Sequence, residues 1–242
     1  MSLLSIVKSI KPKKPPTCTA VIAAAGKSVR CEGEDKLFYT VNDKPVLAYT
    51  IEAFENSSLI NEIIIVADKE RIDTIGQLCT HNGFKKVSKI MQGGDTRAQS
   101  VMNGIFAVSA STKLIAIHDG ARPCIDTDTI ERTISKAATH NAAAPAVSIA
   151  STVKKAENGA VVDTISREGL YEIQTPQIFR QEIIKAALTK ALKNSIDVTD
   201  DCMAVENLGI PVYIVEGSRR NIKITDNGDF RIIEALLNEE YY

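Results

Sequence analysis

Two cations stand close behind a small-residue turn: the run from Thr19 to Gly26 is apolar and closes on Ala23-Ala24-Ala25-Gly26, and Arg30 and Lys36 follow it. Val21 and Ile22, flanked by alanines, suit a strand buried on both faces. Small residues at its end leave the backbone bare, so the N–H groups from Ala24 to Val29 can line an anion-binding concavity while Arg30 and Lys36 add fixed positive charge. The ligand this favours is a polyphosphate. An ordinary strand and turn with surface cations has the same composition. The stretch also matches neither G-x-x-x-x-G-K-[ST] nor G-x-G-x-x-G, since position 28 is Ser. Arg and Lys side chains must therefore carry more of the charge neutralisation than a glycine cradle would.

Two further stretches carry chemistry. In Gly93-Gly94-Asp95-Thr96-Arg97, paired glycines free the backbone to lie against a flat ligand, and Asp95 or Thr96 caps the helix that follows. In His118-Asp119-Gly120-Ala121-Arg122-Pro123, a carboxylate comes directly after an apolar run. That is a usual address for a Mg²⁺-binding aspartate, because Mg²⁺ takes one or two carboxylates together with phosphate oxygens. Asp before Gly is equally ordinary turn chemistry. His81, His118 and His140 are not placed like a catalytic base and read as structural or surface residues.

The elements that must position these residues alternate. Strands are expected at 37–41, 62–67, 86–91, 113–117, 142–149 and 212–215, and a further alternating stretch follows at 221–225. Helices are expected at 46–54, 69–79, 96–108, 126–139, 180–192, about 201–208 and 228–237. Such alternation predicts a parallel sheet with helices on both faces, whose ligands sit at the carboxyl ends of the strands. Residues 151–174 break the pattern with short β-like pieces around Asn158-Gly159 and Glu168-Gly169 turns. They predict a projecting hairpin arm, which is too small to be stable alone and should pack on another subunit. Residues 1–17, with Lys11-Pro12-Lys13-Lys14-Pro15-Pro16, form a basic tail outside a domain spanning 18–242.

Composition excludes several classes. Across 242 residues, 29 Lys and Arg face 30 Asp and Glu, so a net charge of −1 gives no global field for nucleic acid or an anionic membrane, and any anion site is local. No apolar run approaches the roughly 18 residues of a membrane span or makes a signal-peptide core, so a cytoplasmic protein is expected. Five scattered cysteines without a C-x-x-C pair argue for reduced thiols over disulfides or structural zinc.

Taken in order, the motifs resemble the 2-C-methyl-D-erythritol 4-phosphate cytidylyltransferases of the non-mevalonate isoprenoid pathway. They are Ala23-Ala24-Ala25-Gly26 with Arg30 and Lys36; Gly93-Gly94-Asp95 with Arg97 and Ser100-Val101; His118 to Pro123; Thr152 and Arg167 in the arm; Thr175-Pro176-Gln177; Thr199-Asp200-Asp201; and Glu216-Gly217 with Asn221 to Thr225. The likeness spans residues 19 to about 237. It implies a Rossmann-like nucleotidyltransferase fold with a mostly parallel twisted sheet, transfer of CMP from CTP to a polyol phosphate with release of pyrophosphate, Mg²⁺ as cofactor, and a homodimer clasped by the β-arms.

Residue by residue, the resemblance implies that Arg30, Lys36, Arg167 and Lys223 serve catalysis. It implies substrate binding by Ala24, Ala25, Gly26, Gly94, Asp95, Ser100, Asp119, Arg122, Thr152 and Thr199, and metal binding by Asp119. Thr152 and Arg167 would hold the acceptor's own phosphate across the dimer. The chain departs from the family's pattern in a shorter loop between Arg30 and Lys36, in Asp35 where Pro is frequent, and in an unexpectedly basic Ser218-Arg219-Arg220. Ribitol-5-phosphate cytidylyltransferase shares the nucleotide half of this pattern, which leaves that acceptor as an alternative. A non-catalytic nucleotide-binding module on the same fold is the reading from another class.

Overall fold

The computed structural model of the chain describes residues 16–26 and 35–238. Arg30 and residues 1–15 of the expected tail lie outside the described residues. The chain runs through β1 (Cys18–Ala24), β2 (Thr40–Val41), β3 (Lys44–Pro45), α1 (Val46–Asn56), β4 (Ile60–Ala67), a short 3₁₀ turn (Lys69–Arg71), α2 (Ile72–His81), β5 (Val87–Gln92), α3 (Arg97–Ala107), β6 (Leu114–Asp119) and α4 (Thr127–His140). It continues with β7 (Ala142–Ser148), β8 (Val153–Glu157), β9 (Ala160–Ile165), β10 (Tyr171–Ile173), β11 (Gln177–Arg180), α5 (Gln181–Lys193), α6 (Asp201–Glu206), β12 (Tyr213–Glu216) and α7 (Asn227–Asn238).

An eight-stranded sheet organises these elements. The order β6-β1-β4-β5 is parallel throughout. Register sets Ala24 beside Ala67, Ala67 beside Gln92, and Ala23 beside Asp119, so four strands end along one edge. Alternation in β1 sends Ala20, Ile22 and Ala24 into one core with α1, α2, α4 and α7, and Val21 into another with α3, α5 and α6. Both faces of the sheet are therefore dry, which is why these strands read as unbroken apolar runs. Gly104 lets α3 lie close: a Cβ there would stand 2.5 Å from Val21 Cγ1 and 2.8 Å from Val66 Cγ2.

The other half of the sheet is mixed. β11 inserts antiparallel between β6 and β7, β10 pairs antiparallel with β7, and β12 pairs parallel with β7 on its far side. Several expectations change here. Residues 36–38 form a turn, not a strand: the Asp35 carbonyl accepts from the N–H groups of Phe38 and Tyr39, and its carboxylate accepts from that of Leu37. The apolar pattern there reflects Leu37 packing into the core at 2% exposure. The alternating stretch 221–225 forms no strand either, because Asn221 and Ile224 are buried one by one beneath the body with no ladder beside them. Residues 171–173, read as part of the arm, belong to the main sheet. The arm proper is the β8–β9 hairpin, with Asn158 and Gly159 at φ of 50° and 81° making the turn that this dipeptide favours.

Candidate active site

The shared edge of β1, β4, β5 and β6 opens into a cavity of about 600 Å³, walled by Ala23 to Gly26, Lys36, Asp68, Lys69, the loop from Gly93 to Arg97, Ser100, Asp119 and Lys223. Local sequence explains each wall. Thr96 caps α3 through the Gln99 N–H, and the Gln99 carboxamide accepts in return from the N–H groups of Thr96 and Asp95. This box fixes the loop before the helix. Gly93 has no room for a side chain: a Cβ would meet Ala25 Cβ at 2.7 Å and Ser100 Oγ at 2.8 Å. Ser100 Oγ accepts from the Gly94 N–H at 3.0 Å and donates to the Gly94 carbonyl at 3.3 Å, holding the paired glycines against the first turn of α3.

Asp119 is the electrostatic centre. Its Oδ2 lies 3.0 Å from Lys223 Nζ and 3.4 Å from Arg122 Nε, and its Oδ1 lies 3.5 Å from Arg97 Nη2. Burial works against the charge, but Arg97, Lys223 and Arg122 overrule it and hold the carboxyl well below the usual carboxylate range. Arg97 also pairs with the buried Asp201 at 2.8 Å. Burial raises the Asp201 carboxyl, with Arg97 pulling the other way, and for Arg97 the two carboxylates outweigh burial and keep the guanidinium protonated. Three cations against two carboxylates leave this cluster one charge positive, which suits an anionic ligand.

A second layer holds the cluster. Thr175 Oγ1 accepts from the Asp119 N–H at 3.1 Å and meets His118 Nδ1 at 3.0 Å. Asn221 Nδ2 donates to the Thr175 carbonyl, and Arg122 Nη1 donates to the Asn221 carbonyl. Gln177 accepts from the N–H groups of Asp201 and Cys202 and donates to Asp200, which positions the start of α6. His118 is fully buried, against Phe54, and burial lowers its pKa to about 3. A neutral imidazole sealed in this way fits the structural role expected of it.

Of the residues singled out in the sequence, Ala24, Ala25, Gly26, Lys36, Gly94, Asp95, Ser100, Asp119 and Lys223 line this one cavity. Arg122 stands behind Asp119 and faces a second, smaller cavity. Thr152 and Arg167 line neither; both are exposed near the base of the arm, where Arg167 donates to the Ala150 carbonyl. Thr199 is exposed too, its hydroxyl 3.6 Å from Met203 Sδ. Arg97 and Asp201 stood in the motifs without an assigned part in the site. An arginine at the first position of a capped helix was the available signal, but its two partners come from β6 and α6. Among the described residues no group of three or more His, Cys, Asp or Glu could hold a metal. A magnesium ion fits here only with phosphate oxygens as its main ligands, Asp119 being the carboxylate whose ionisation is secured.

Comparison with known proteins gives the family and the fold. The family model described as IspD, 2-C-methyl-D-erythritol 4-phosphate cytidylyltransferase, matches residues 18–239. The 2-C-methyl-D-erythritol 4-phosphate cytidylyltransferase of Clostridium acetobutylicum is 43% identical over 223 residues, covering 91% of this chain and 97% of the relative. That of Caldanaerobacter subterraneus is 40% identical over 228 residues, covering 91% and 99%. The crystal structure of 4-diphosphocytidyl-2C-methyl-D-erythritol synthase from Anaerococcus prevotii superposes with a TM-score of 0.82 at 29% identity, covering 93% of this chain and 97% of that one. With its fold, its motif order and these relatives in agreement, the chain belongs to the 2-C-methyl-D-erythritol 4-phosphate cytidylyltransferase family.

Proposed function

We propose that this protein transfers CMP from CTP to the phosphate of 2-C-methyl-D-erythritol 4-phosphate, giving 4-diphosphocytidyl-2-C-methyl-D-erythritol and pyrophosphate. The observation that carries it is the net-positive cluster of Arg97, Arg122 and Lys223 around Asp119, set with Lys36 beside the bare backbone of Ala24 to Gly26. An oxygen of the acceptor phosphate attacks the α-phosphorus of CTP. A new P–O bond forms, the bond from the α-phosphorus to the bridging oxygen breaks, and pyrophosphate takes the electron pair. Such transfers are catalysed by positioning and by neutralising charge on the phosphoryl group, the parts assigned to Arg30 and Lys36. No base is needed, since a phosphate monoester with a second pKa near 6 is largely dianionic at neutral pH. Ala24, Ala25, Gly94, Asp95 and Ser100 offer backbone and short side chains to a pyrimidine edge. Asp119 would be the protein carboxylate for a Mg²⁺ bound with the triphosphate, which would neutralise phosphate charge.

Among the described residues nothing covers the arm's outer side: Val161 and Val162 are 63% and 51% exposed. A homodimer clasped by the two arms would bury them and bring Arg167 and Thr152 of one subunit to the acceptor of the other. Thr199 belongs to the same acceptor side.

Incubation with CTP, Mg²⁺ and 2-C-methyl-D-erythritol 4-phosphate should release pyrophosphate and the cytidylyl product in equal amounts, faster than with ribitol 5-phosphate. Equal or faster turnover of ribitol 5-phosphate would assign that acceptor instead. Nucleotide binding without turnover of either would favour a non-catalytic module. For the arm, Arg167→Ala chains mixed with Lys36→Ala chains under subunit exchange should regain activity, because one site of each heterodimer then carries both defects and the other carries neither.

A further inference from the structure

Lys36 and the pair Asp68-Lys69 both wall the nucleotide cavity, yet they come from separate segments, the turn at residues 36–38 and the loop after β4. The far side of the turn is anchored in the body: Leu37 is buried, and the Leu37 and Tyr39 carbonyls accept from the N–H groups of Leu47 and Val46. At its near side Asp35 acts twice. Its carbonyl and Oδ1 accept from the N–H groups of residues 37–39, and its Oδ2 lies 2.8 Å from Arg71 Nη2. Arg71 is itself fixed by the 3₁₀ turn, where its N–H donates to the Asp68 carbonyl at 2.9 Å. Its Nη1 lies 3.7 Å from Asp68 Oδ2, is buried, and makes no hydrogen bond among the described residues. One guanidinium that does not line the cavity thus spans two segments that do.

A half-buried ion pair adds little to the stability of a whole chain. Geometry is where it tells, because a charge that stabilises a phosphoryl transition state loses much of its effect when it is displaced by about 1 Å. Lysine carries its ammonium on a flexible stem, so the seat of its backbone decides what that charge can reach. We infer that Arg71 is a positioning residue for Lys36: by pairing with Asp35 and bracing on Asp68, it holds the turn that carries the lysine at a set distance from the loop after β4. The inference rests on the proposed function for the part that Lys36 plays. It also gives a role to Asp35, one of the chain's departures from the family pattern. A proline restrains the approach to the lysine through its own ring, whereas an aspartate needs a partner to do so.

Steady-state kinetics and amide hydrogen exchange on the full chain test it. Arg71→Met removes the charge and keeps much of the stem, while Asp35→Asn removes the charge and keeps an oxygen for the Leu37 N–H. Each should lower kcat by about 3- to 10-fold, with the KM for CTP within about two-fold of wild type. The double variant should be no slower than the slower single one, and in a Lys36→Ala background Arg71→Met should change kcat by less than about two-fold. Arg71→Lys, a point charge that meets one carboxylate at a time, should recover part of the rate. Independently of turnover, Arg71→Met should speed exchange of the Phe38 and Tyr39 amides, which donate to the Asp35 carbonyl, while the melting temperature falls by about 4 °C or less. An unaltered kcat in both single variants of an active enzyme, or a loss that multiplies with that of Lys36→Ala, overturns the inference and leaves the proposed function standing. A raised KM for CTP at constant kcat also overturns it, by making Arg71 a nucleotide contact. A wild type that turns over no polyol phosphate refutes the function instead, and the exchange rates then decide the inference: faster exchange at Phe38 and Tyr39 upholds the brace on the turn, and unchanged exchange removes it.

Discussion

The nucleotide edge and the arm solve opposite problems with opposite materials. At the edge, the charged groups around Asp119 are cross-braced: Asp119 faces three cations, Arg97 faces two carboxylates, and Thr175, Gln177 and Asn221 satisfy the backbone behind them. In the arm, among the described residues, β8 and β9 pair only with each other, and all six residues of β9 are exposed. A site that must stabilise charge at a fixed point needs rigid partners already in place. A hairpin of this size buries too little to be held by its own contacts. The first region is braced from within one chain, and the second would be held by a second subunit in the proposed dimer.

The largest effect that sharpens the contrast belongs to Lys36. Lys36→Ala should lower kcat by about 10²–10³, by analogy with removing one oxyanion donor, with a smaller change in the KM for CTP. Steady-state kinetics that show an unaltered kcat and a raised KM would make Lys36 a binding residue only.

Asp119→Asn keeps the shape and removes the negative charge that braces Arg97, Arg122 and Lys223. Activity should fall, and the Mg²⁺ concentration for half-saturation should rise about ten-fold if the carboxylate is also a metal ligand. A magnesium titration that overlays the wild-type curve would restrict Asp119 to ordering the cations.

The edge should also be the acid-sensitive region. His118 has its folded pKa lowered from 6.5 to about 3 by burial. The unfolded chain takes up a proton below about pH 6.5 that the folded one refuses, so the stabilisation is full above that pH and is lost progressively as pH falls toward 3. Asp119 adds a further loss, but only below the ordinary carboxylate range, because its folded pKa is depressed. Urea midpoints should therefore decline already between pH 7 and pH 5. A flat profile across that interval would mean that His118 is not sealed in the neutral form.

The smallest effect on the isolated chain, and the sharpest on assembly, belongs to the arm. Val161→Asp changes a residue that is 63% exposed and pairs only with β8 among the described residues, so the stability of the monomer should move by about 0.5 kcal/mol or less. Sedimentation should show the proposed dimer weakened. A large drop in monomer stability would show that the hairpin packs on its own body, erasing the difference between the two regions.

Local pattern alone was enough to specify the alternation of strands and helices, the small-residue turn ending at Gly26, a cap at Asp95 or Thr96 and the Asn158-Gly159 hairpin turn. Each depends on residues a few positions apart. Apolar periodicity is weaker evidence where burial comes from packing without a ladder. For that reason residues 36–38 and 221–225 imitate strands while forming a turn and a strap. What surrounds Asp119 could not be read locally, because Arg97 arrives from α3, Lys223 from the strap and Thr175 from the loop before β11, each separated from it by many residues. The antiparallel insertion of β11 between β6 and β7 is equally non-local. Sequence by itself determined which residues carry charge and which turns expose them. Only the tertiary structure decided which charges meet, since ion pairing depends on distances that fall within a few ångströms once the sheet order is set.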